Sequence, residues 1–591
     1  MTEFTVRRIH TLFKRAAVIP YGVAGCRGIL ALLATTLLLM STQAANAQSG
    51  MAQTLHNLTP SGPGTADVNR ETANSGLCVF CHTPHNAITT RALWNRELPG
   101  VTYTIYQSNT LQANPGQPTG SSRLCLSCHD GVLALGSVRE PTPGSVFTLG
   151  PITGSGSVGT DLSNDHPVSF VYDTALASVQ GELADPETLT ASTPLDDKSE
   201  LQCTSCHDPH EDVNPDFLRM DNHYGALCTS CHKQDLWDSS VHATSTAIWN
   251  GTGTNPWPDT AFASVAENAC LNCHRSHAAG HGQWLLADSD EMLNCTTCHD
   301  GRVAQQDIAT EFTKIYHHPI ESSLWTHQPF EDPLSMPRHV ACDDCHNPHS
   351  AAELPTGSPL TVSGSQRNVR GVTIAGVTID AAVYKYEVCL KCHGEQEPAT
   401  LGFVRSDSTR NIRLRINPAN ISFHPVAAPG NNPTITGLIP PYTASTQIDC
   451  LDCHDNDNWT DGGPQPRGPH GSNFAPILAR QYQTEDPVVE SFNSYELCYG
   501  CHDRGTLLLP GSGFPHDTHV VTDQASCAAC HDAHGSRSNT FLVDFMTKTL
   551  AGADVVTPPV GGGTIQFVPT SPGHGSCSLS CHGHDHNPAT Y

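Results

Sequence analysis

Basic residues are scarce: 30 Lys and Arg stand against 57 Asp and Glu in 591 residues, a formal net charge of −27 at neutral pH. So acidic a chain argues against nucleic acid and anionic lipid headgroups as partners, because their phosphates are repelled. It suits high solubility and cationic partners. Aromatic residues amount to 6% and hydrophobic residues to 38%, thin material for a protein-only core in a chain this long. Long apolar runs are missing as well. Residues 29–40 form the longest, about a dozen residues, too short to cross a bilayer comfortably. No glycine-rich loop tied to a strand and helix occurs, and no His-Glu-x-x-His, which removes phosphate-cradling and zinc-protease chemistry.

The one apolar run lies near the N-terminus. Arg7, Arg8, Lys14, Arg15 and Arg27 precede it and Ala45, Asn46 and Ala47 follow it. A basic segment, a short apolar stretch and a small-residue cleavage site make residues 1–47 a secretory signal peptide. Val23-Ala24-Gly25-Cys26 resembles an acylation site, but it precedes the apolar run instead of ending it. The Arg7-Arg8 pair suggests twin-arginine export, against which the general secretory route is preferred. Cleavage leaves 25 basic and 56 acidic residues, a net charge of −31. The mature chain is expected in the periplasm, on the outer membrane or outside the cell, without spanning a membrane.

Cysteine is what the chain has instead. Cys-x-x-Cys-His occurs at Cys78-Cys81-His82, Cys125-Cys128-His129, Cys203-Cys206-His207, Cys228-Cys231-His232, Cys270-Cys273-His274 and Cys295-Cys298-His299. It continues at Cys342-Cys345-His346, Cys389-Cys392-His393, Cys450-Cys453-His454, Cys498-Cys501-His502 and Cys527-Cys530-His531. A twelfth, Cys577-Cys581-His582, has one extra residue between its cysteines, and together the motifs use 24 of the 25 cysteines, leaving Cys26. Zinc sites and disulfides give no reason for a histidine after every second cysteine. Covalent c-type haem does: two thiols add to the vinyl groups and the histidine ligates the iron. Twelve such haems in the mature chain leave about 45 residues apiece, so the porphyrins must supply much of the buried apolar surface.

Each iron needs a second ligand unless it is to react. Only Met51, Met220, Met292, Met336 and Met546 survive cleavage, whereas 21 histidines remain beyond the twelve in the motifs. Histidine on both faces avoids the potential-raising methionine ligand and closes the iron. Motifs one, three, five, seven and eleven continue as Cys-His-x-x-His, giving His85, His210, His277, His349 and His534. After motifs two, six and eight a His-Pro follows: His166, His318 and His424. With His242, His339, His470 and His519 these make twelve expected second ligands. His56, His223, His281, His317, His327, His516, His574, His584 and His586 are held in reserve. Asp343-Asp344 reads as loop chemistry, and residues 288–291 lack the spaced ligands of a calcium loop.

The alternation of the two motif types is an internal repeat, the mark of a duplicated unit. The fold expected is mostly irregular and haem-packed, with short helices at the motifs and a few short strands. Gly-, Pro-, Ser- and Thr-rich stretches at 139–165, 351–368, 427–446 and 550–573 read as loops. Val372-Thr373-Ile374 and Val377-Thr378-Ile379 read as a hairpin, and the alternating Ile412 to Ile416 as a strand. A boundary near 350–360 separates region 48–350, with motifs one to seven, from 351–591, with motifs eight to twelve.

The doublet CTSCHDPH…CTSCHK, with CVFCHTPH, CLKCHG…FHPV and GPHGS…CYGCHDR, resembles the doubled-CXXCH multihaem c-type cytochromes of bacteria that respire metals or other extracellular acceptors. That resemblance implies low-potential haems with two histidine ligands, close together and passing electrons by multistep hopping. Expected partners are other redox proteins, an outer-membrane porin complex or a terminal acceptor. Two alternatives differ in kind. One is a multihaem oxidoreductase acting on a nitrogen or sulfur oxyanion at one open iron, though lysine replaces the motif histidine nowhere. The other is a subunit that self-assembles into a filament.

Overall fold

A computed structural model describes residues 50–63, 76–88, 91–141, 149–320, 331–353, 360–395, 403–432, 435–460, 465–511, 513–571 and 573–591. The leader 1–47, with Cys26, and the reserve histidine His327 lie outside the described residues. The chain divides into two compact units. One comprises residues up to Arg96 together with Gly136–Leu149 and His207–Arg219; the other comprises Glu97–Leu135, Gly150–Cys206 and Met220–Tyr591. Positions 350 and 351 both belong to the second.

Most of the described chain is turn and loop, punctuated by single helical turns where the motifs fall. The spacing explains them. On a helix, residues i, i+3 and i+4 share a face, so Cys-x-x-Cys-His aims two thiols and an imidazole the same way only when wound helically. Motif three is the helix Cys203–Cys206, motif seven Cys342–Cys345 and motif eleven Cys527–Cys530. Motifs two and eight end longer helices, Gly120–His129 and Lys385–His393. In motifs one, four, five, six, nine and ten the histidine amide donates back to the carbonyl of the first cysteine, closing the same turn.

In the smaller unit, the loop after motif one returns so that His82 bridges Trp94. Asn95 Nδ2 donates to the carbonyls of Val79 and Glu140, pinning that return. In the larger unit, the same loop recurs after motifs five and eleven, where His274 bridges Leu286 and His531 bridges Val543. Each return carries two consecutive left-handed residues: Ala92-Leu93, Trp284-Leu285 and Phe541-Leu542. Side chains in that region cost energy and persist where the surroundings require them.

Strands are mostly two residues long. Gly371–Val372 pairs antiparallel with Thr378–Ile379, the expected hairpin. The strand expected from Ile412 to Ile416 is instead a helical turn, Ile412–Arg415. Asn411 caps it through the Leu414 amide, and Arg415 is drawn inward to Asp532 at 2.6 Å and Asp544 at 2.8 Å. Buried ion pairing overrides the alternating pattern, which is a weak signal over five residues. The largest sheet among the described residues is antiparallel, Gln566–Ser571, His574–Cys581 and His584–Thr590. Its buried face joins Val543, Phe545, Met546, Val555 and Val556 around Cys577 and Leu579. Elsewhere in the larger unit the apolar clusters are small and separate, as the thin hydrophobic content requires.

Candidate functional site

The returning loops do more than turn the chain. They present a backbone carbonyl to the motif histidine. His82 Nδ1 donates to Ala92 O, His207 to Asp216 O at 2.8 Å, His274 to Trp284 O at 2.8 Å, and His531 to Phe541 O at 2.8 Å. His129, His346 and His454 do likewise, to Gly156, Ser365 and Pro476. With Nδ1 carrying the proton, Nε2 keeps its lone pair, the arrangement that orients a metal-ligating imidazole.

Across from the motif histidines stand second rings. In the smaller unit His82 faces His210, ring centres 6.3 Å apart. In the larger, His232 faces His166, His274 faces His349 and His299 faces His242, each at 6.2 Å. His346 faces His470 at 6.1 Å, His393 faces His318 at 6.4 Å, His454 faces His534 at 6.2 Å and His531 faces His516 at 6.4 Å. Two metal–imidazole bonds of about 2 Å each, plus about 1 Å from each nitrogen to its ring centre, put such centres about 6 Å apart. The pairs are too far apart to stack against one another and have the spacing that one iron between them requires. The residues therefore fit the group.

Burial tunes them for ligation. It lowers His232, His299, His349, His393 and His454 to about 4 and His470 to about 3, with neighbouring imidazoles adding to the effect. Each is neutral at pH 7, as a metal ligand must be.

The second rings are themselves anchored in a repeating way. His210 Nδ1 bonds Asp208 at 3.2 Å, His277 bonds Asp165 at 2.9 Å and His534 bonds Asp532 at 3.1 Å. The carbonyl just before the second histidine receives yet another imidazole. His56 donates to Pro209, His242 to Pro348, His318 to Pro469 and His424 to Ala533. Each junction thus brings two histidines together across one backbone carbonyl. Motif nine obeys the rule despite lacking Cys-His-x-x-His. Its second histidine is His470, displaced by an insertion, with the Gly468 amide tied back to Asp455 at 2.5 Å.

Of the remaining expected ligands, His424 is buried beside His502, whose charge opposes its own. His277 is half exposed, bonded to the buried Asp165, and lies near Cys203. His339 meets Glu331 at 2.9 Å and Asp344 at 3.7 Å, a buried trio of His and carboxylates. His85 is fixed through its backbone, its amide donating to Thr83 Oγ1 and its carbonyl accepting from the same hydroxyl. His516 was only a reserve, yet it faces His531. No local repeat marks it, because Phe-Pro-His516 reverses the His-Pro order seen elsewhere. The last pair joins two non-motif residues, His519 and His586, at 6.1 Å, while His582 of the twelfth motif bonds Asp486 at 2.7 Å.

The thiols also meet in pairs. Cys125 lies against Cys203, Cys228 against Cys270, Cys295 against Cys342 and Cys389 against Cys450. Motifs two, four, six and eight therefore each share an attachment edge with the motif that follows.

A family described as the doubled CXXCH motif matches residues 194–236 and 263–304, which span motifs three to six. Among curated proteins, none matches the chain. The match supports a multihaem c-type cytochrome-like chain, and the motifs indicate covalent haem c. No helix among the described residues is long and apolar enough to cross a membrane.

Proposed function

We propose that the chain is an electron conduit carrying twelve covalent c-type haems, most of them ligated by histidine on both faces. Haem supplies reversible one-electron chemistry when bound, and the protein sets its ligation, spacing and exposure. The observation that carries the reading is the recurrence of anchored histidine pairs at 6.1–6.4 Å, which suits closed irons and gives substrate no open position. The thiol contacts support transfer from one site to the next, since adjoining attachment edges start neighbouring cofactors side by side. The acidic surface suits cationic faces on redox partners. Export and work in anaerobic respiration, in the periplasm, at an outer-membrane porin complex or outside the cell, belong to the same proposal, as does the absence of substrate chemistry.

Intact-mass measurement of the holoprotein tests the load, with a mass equivalent to twelve haems expected. Electron paramagnetic resonance and carbon monoxide titration test the ligation. Low-spin iron throughout and little carbon monoxide uptake are expected; a spectrum dominated by high-spin iron would refute the reading.

A further inference from the structure

The twelfth motif is built unlike the other eleven. It lies on the strand His574–Cys581, and its extra residue suits that strand. Alternating side chains put residues an even number apart on one face, so Cys577 and Cys581 both point to the buried side with Leu579 between them. A spacing of three would have put one thiol on each face.

The motif histidine is then carried out of position. Cys581 pairs with His584, leaving His582 and Gly583 as a two-residue turn with φ of 50° and 81°, the type I′ geometry that joins twisted strands. From that turn His582 Nε2 reaches Asp486 Oδ2 at 2.7 Å, its side chain 15% exposed and the carboxylate 4%. The nitrogen that would ligate iron under the twelve-haem reading here serves a buried carboxylate.

Another histidine occupies the place it left. His586, on the adjacent strand, pairs with Leu579 and so stands on the same face, midway between the two cysteines. Its Nδ1 is 2.5 Å from Tyr591 Oη, and Tyr591 packs on the cluster that holds both thiols. Facing it is His519, ring centres 6.1 Å apart and planes 25° from parallel, with its own Nδ1 bonded to Pro515 O at 3.0 Å. Spacing and anchoring match the eight pairs that include a motif histidine.

We propose that the haem attached at Cys577 and Cys581 takes His586 and His519 as its axial ligands, and that His582 is a structural anchor to Asp486. This rests on the twelve-haem reading. The haem would thus be covalently held by one strand and ligated from the next.

The test uses the full-length holoprotein. His586→Ala and His519→Ala should each convert one haem in twelve to a high-spin form that binds carbon monoxide, whereas His582→Gln should leave all irons low-spin. A methionine at the same place, His586→Met, should give one haem a methionine-to-iron charge-transfer band and a raised potential. If His586→Ala removes the haem instead, retention in His582→Gln still supports the assignment. A high-spin or lost haem in His582→Gln, with His586→Ala and His586→Met unchanged from wild type, overturns it. Intact mass of Cys577→Ser/Cys581→Ser separates the two readings: a decrease of one haem keeps the count of twelve whatever the ligands prove to be. A decrease owed to the substitutions alone removes the twelfth haem and this proposal with it.

Discussion

His318 donates its Nδ1 proton to the carbonyl oxygen of Pro469 across 2.8 Å, joining residues 151 positions apart. The next residue, His470, turns its ring toward His346, while His318 faces His393. One backbone unit therefore orients rings at two separate sites. His470→Ala should open only the first of them. The acceptor for His318 is a main-chain carbonyl that alanine at 470 retains, so the site at His393 keeps both rings. One additional high-spin, carbon-monoxide-binding haem per molecule is expected, with the haem count unchanged by mass.

Arg415 sits between the carboxylates of Asp532 and Asp544, all three nearly inaccessible. Removing the guanidinium takes from the buried Asp544 its ion-pair partner and leaves Asp532 with Arg405 at 3.2 Å and His534. Arg415→Ala should cost about 3–5 kcal/mol, the usual penalty for breaking a buried pair from one side. The measurement is the urea midpoint of the holoprotein followed by haem absorbance, and a change under about 0.5 kcal/mol would contradict the account.

The same cluster gives an acid limit. Burial pushes the Asp532 carboxyl upward, but the hydrogen bond and charge of His534 and the charges of Arg405 and Arg415 outweigh it and hold the group well below the usual carboxylate range. A depressed native value means stability that is complete above the unfolded value of about 4 and lost as pH falls through the native one. Unfolding should accelerate below about pH 4, and Asp532→Asn should lessen that dependence while lowering stability at pH 7. Stopped-flow pH jumps on both forms check it.

Asp343, inside motif seven, runs the other way. Burial, then the charge and hydrogen bond of Glu291, push its carboxyl far above the ordinary range. A raised acid is neutral in the folded state, so its contribution is intact below about pH 4 and eroded progressively as pH rises. Asp343→Asn should therefore stabilise the protein at pH 7 and change nothing at pH 3.5. Equal midpoints for the two proteins at pH 7 would rule this out.

Gly535 follows His534 with φ of 156° and lies so close to Arg415 O that a Cβ would strike it. Its short strand, Gly535–Ser536, pairs with Ser422–Phe423 and sets where His534 and His424 stand. Gly535→Ala should destabilise the protein by about 1–3 kcal/mol, the range for an enforced backbone misfit. Pair geometry at His454 should loosen with it, seen as broadened low-spin resonance lines.

The motifs and the repeat were legible because covalent chemistry fixes residue types at fixed spacing. Local pattern also found the hairpin at 371–379 and singled out His210, His349 and His534, whose rings face those of motif histidines. What it missed was non-local. Nothing near Ile412 to Ile416 announces Asp532 and Asp544, so alternation was mistaken for a strand. His516 carries no repeat signature, and its place opposite His531 depends on the chain folding back. The twelfth motif was recognised as odd, but its strand, its turn and the capture of His582 by Asp486 depend on a residue 96 positions away. Which ring meets which was unreadable, since the partners lie in different repeats.

That crossing of repeats bears on how the molecule is made. His82 meets a ring that follows motif three, His274 one that follows motif seven, and His454 one that follows motif eleven. A chain emerging from its N-terminus leaves each of these rings waiting for sequence not yet synthesised, and completes them in order, two motifs behind the growing end. On the twelve-haem reading proposed above, a fragment ending within the array should display open irons only near its severed end.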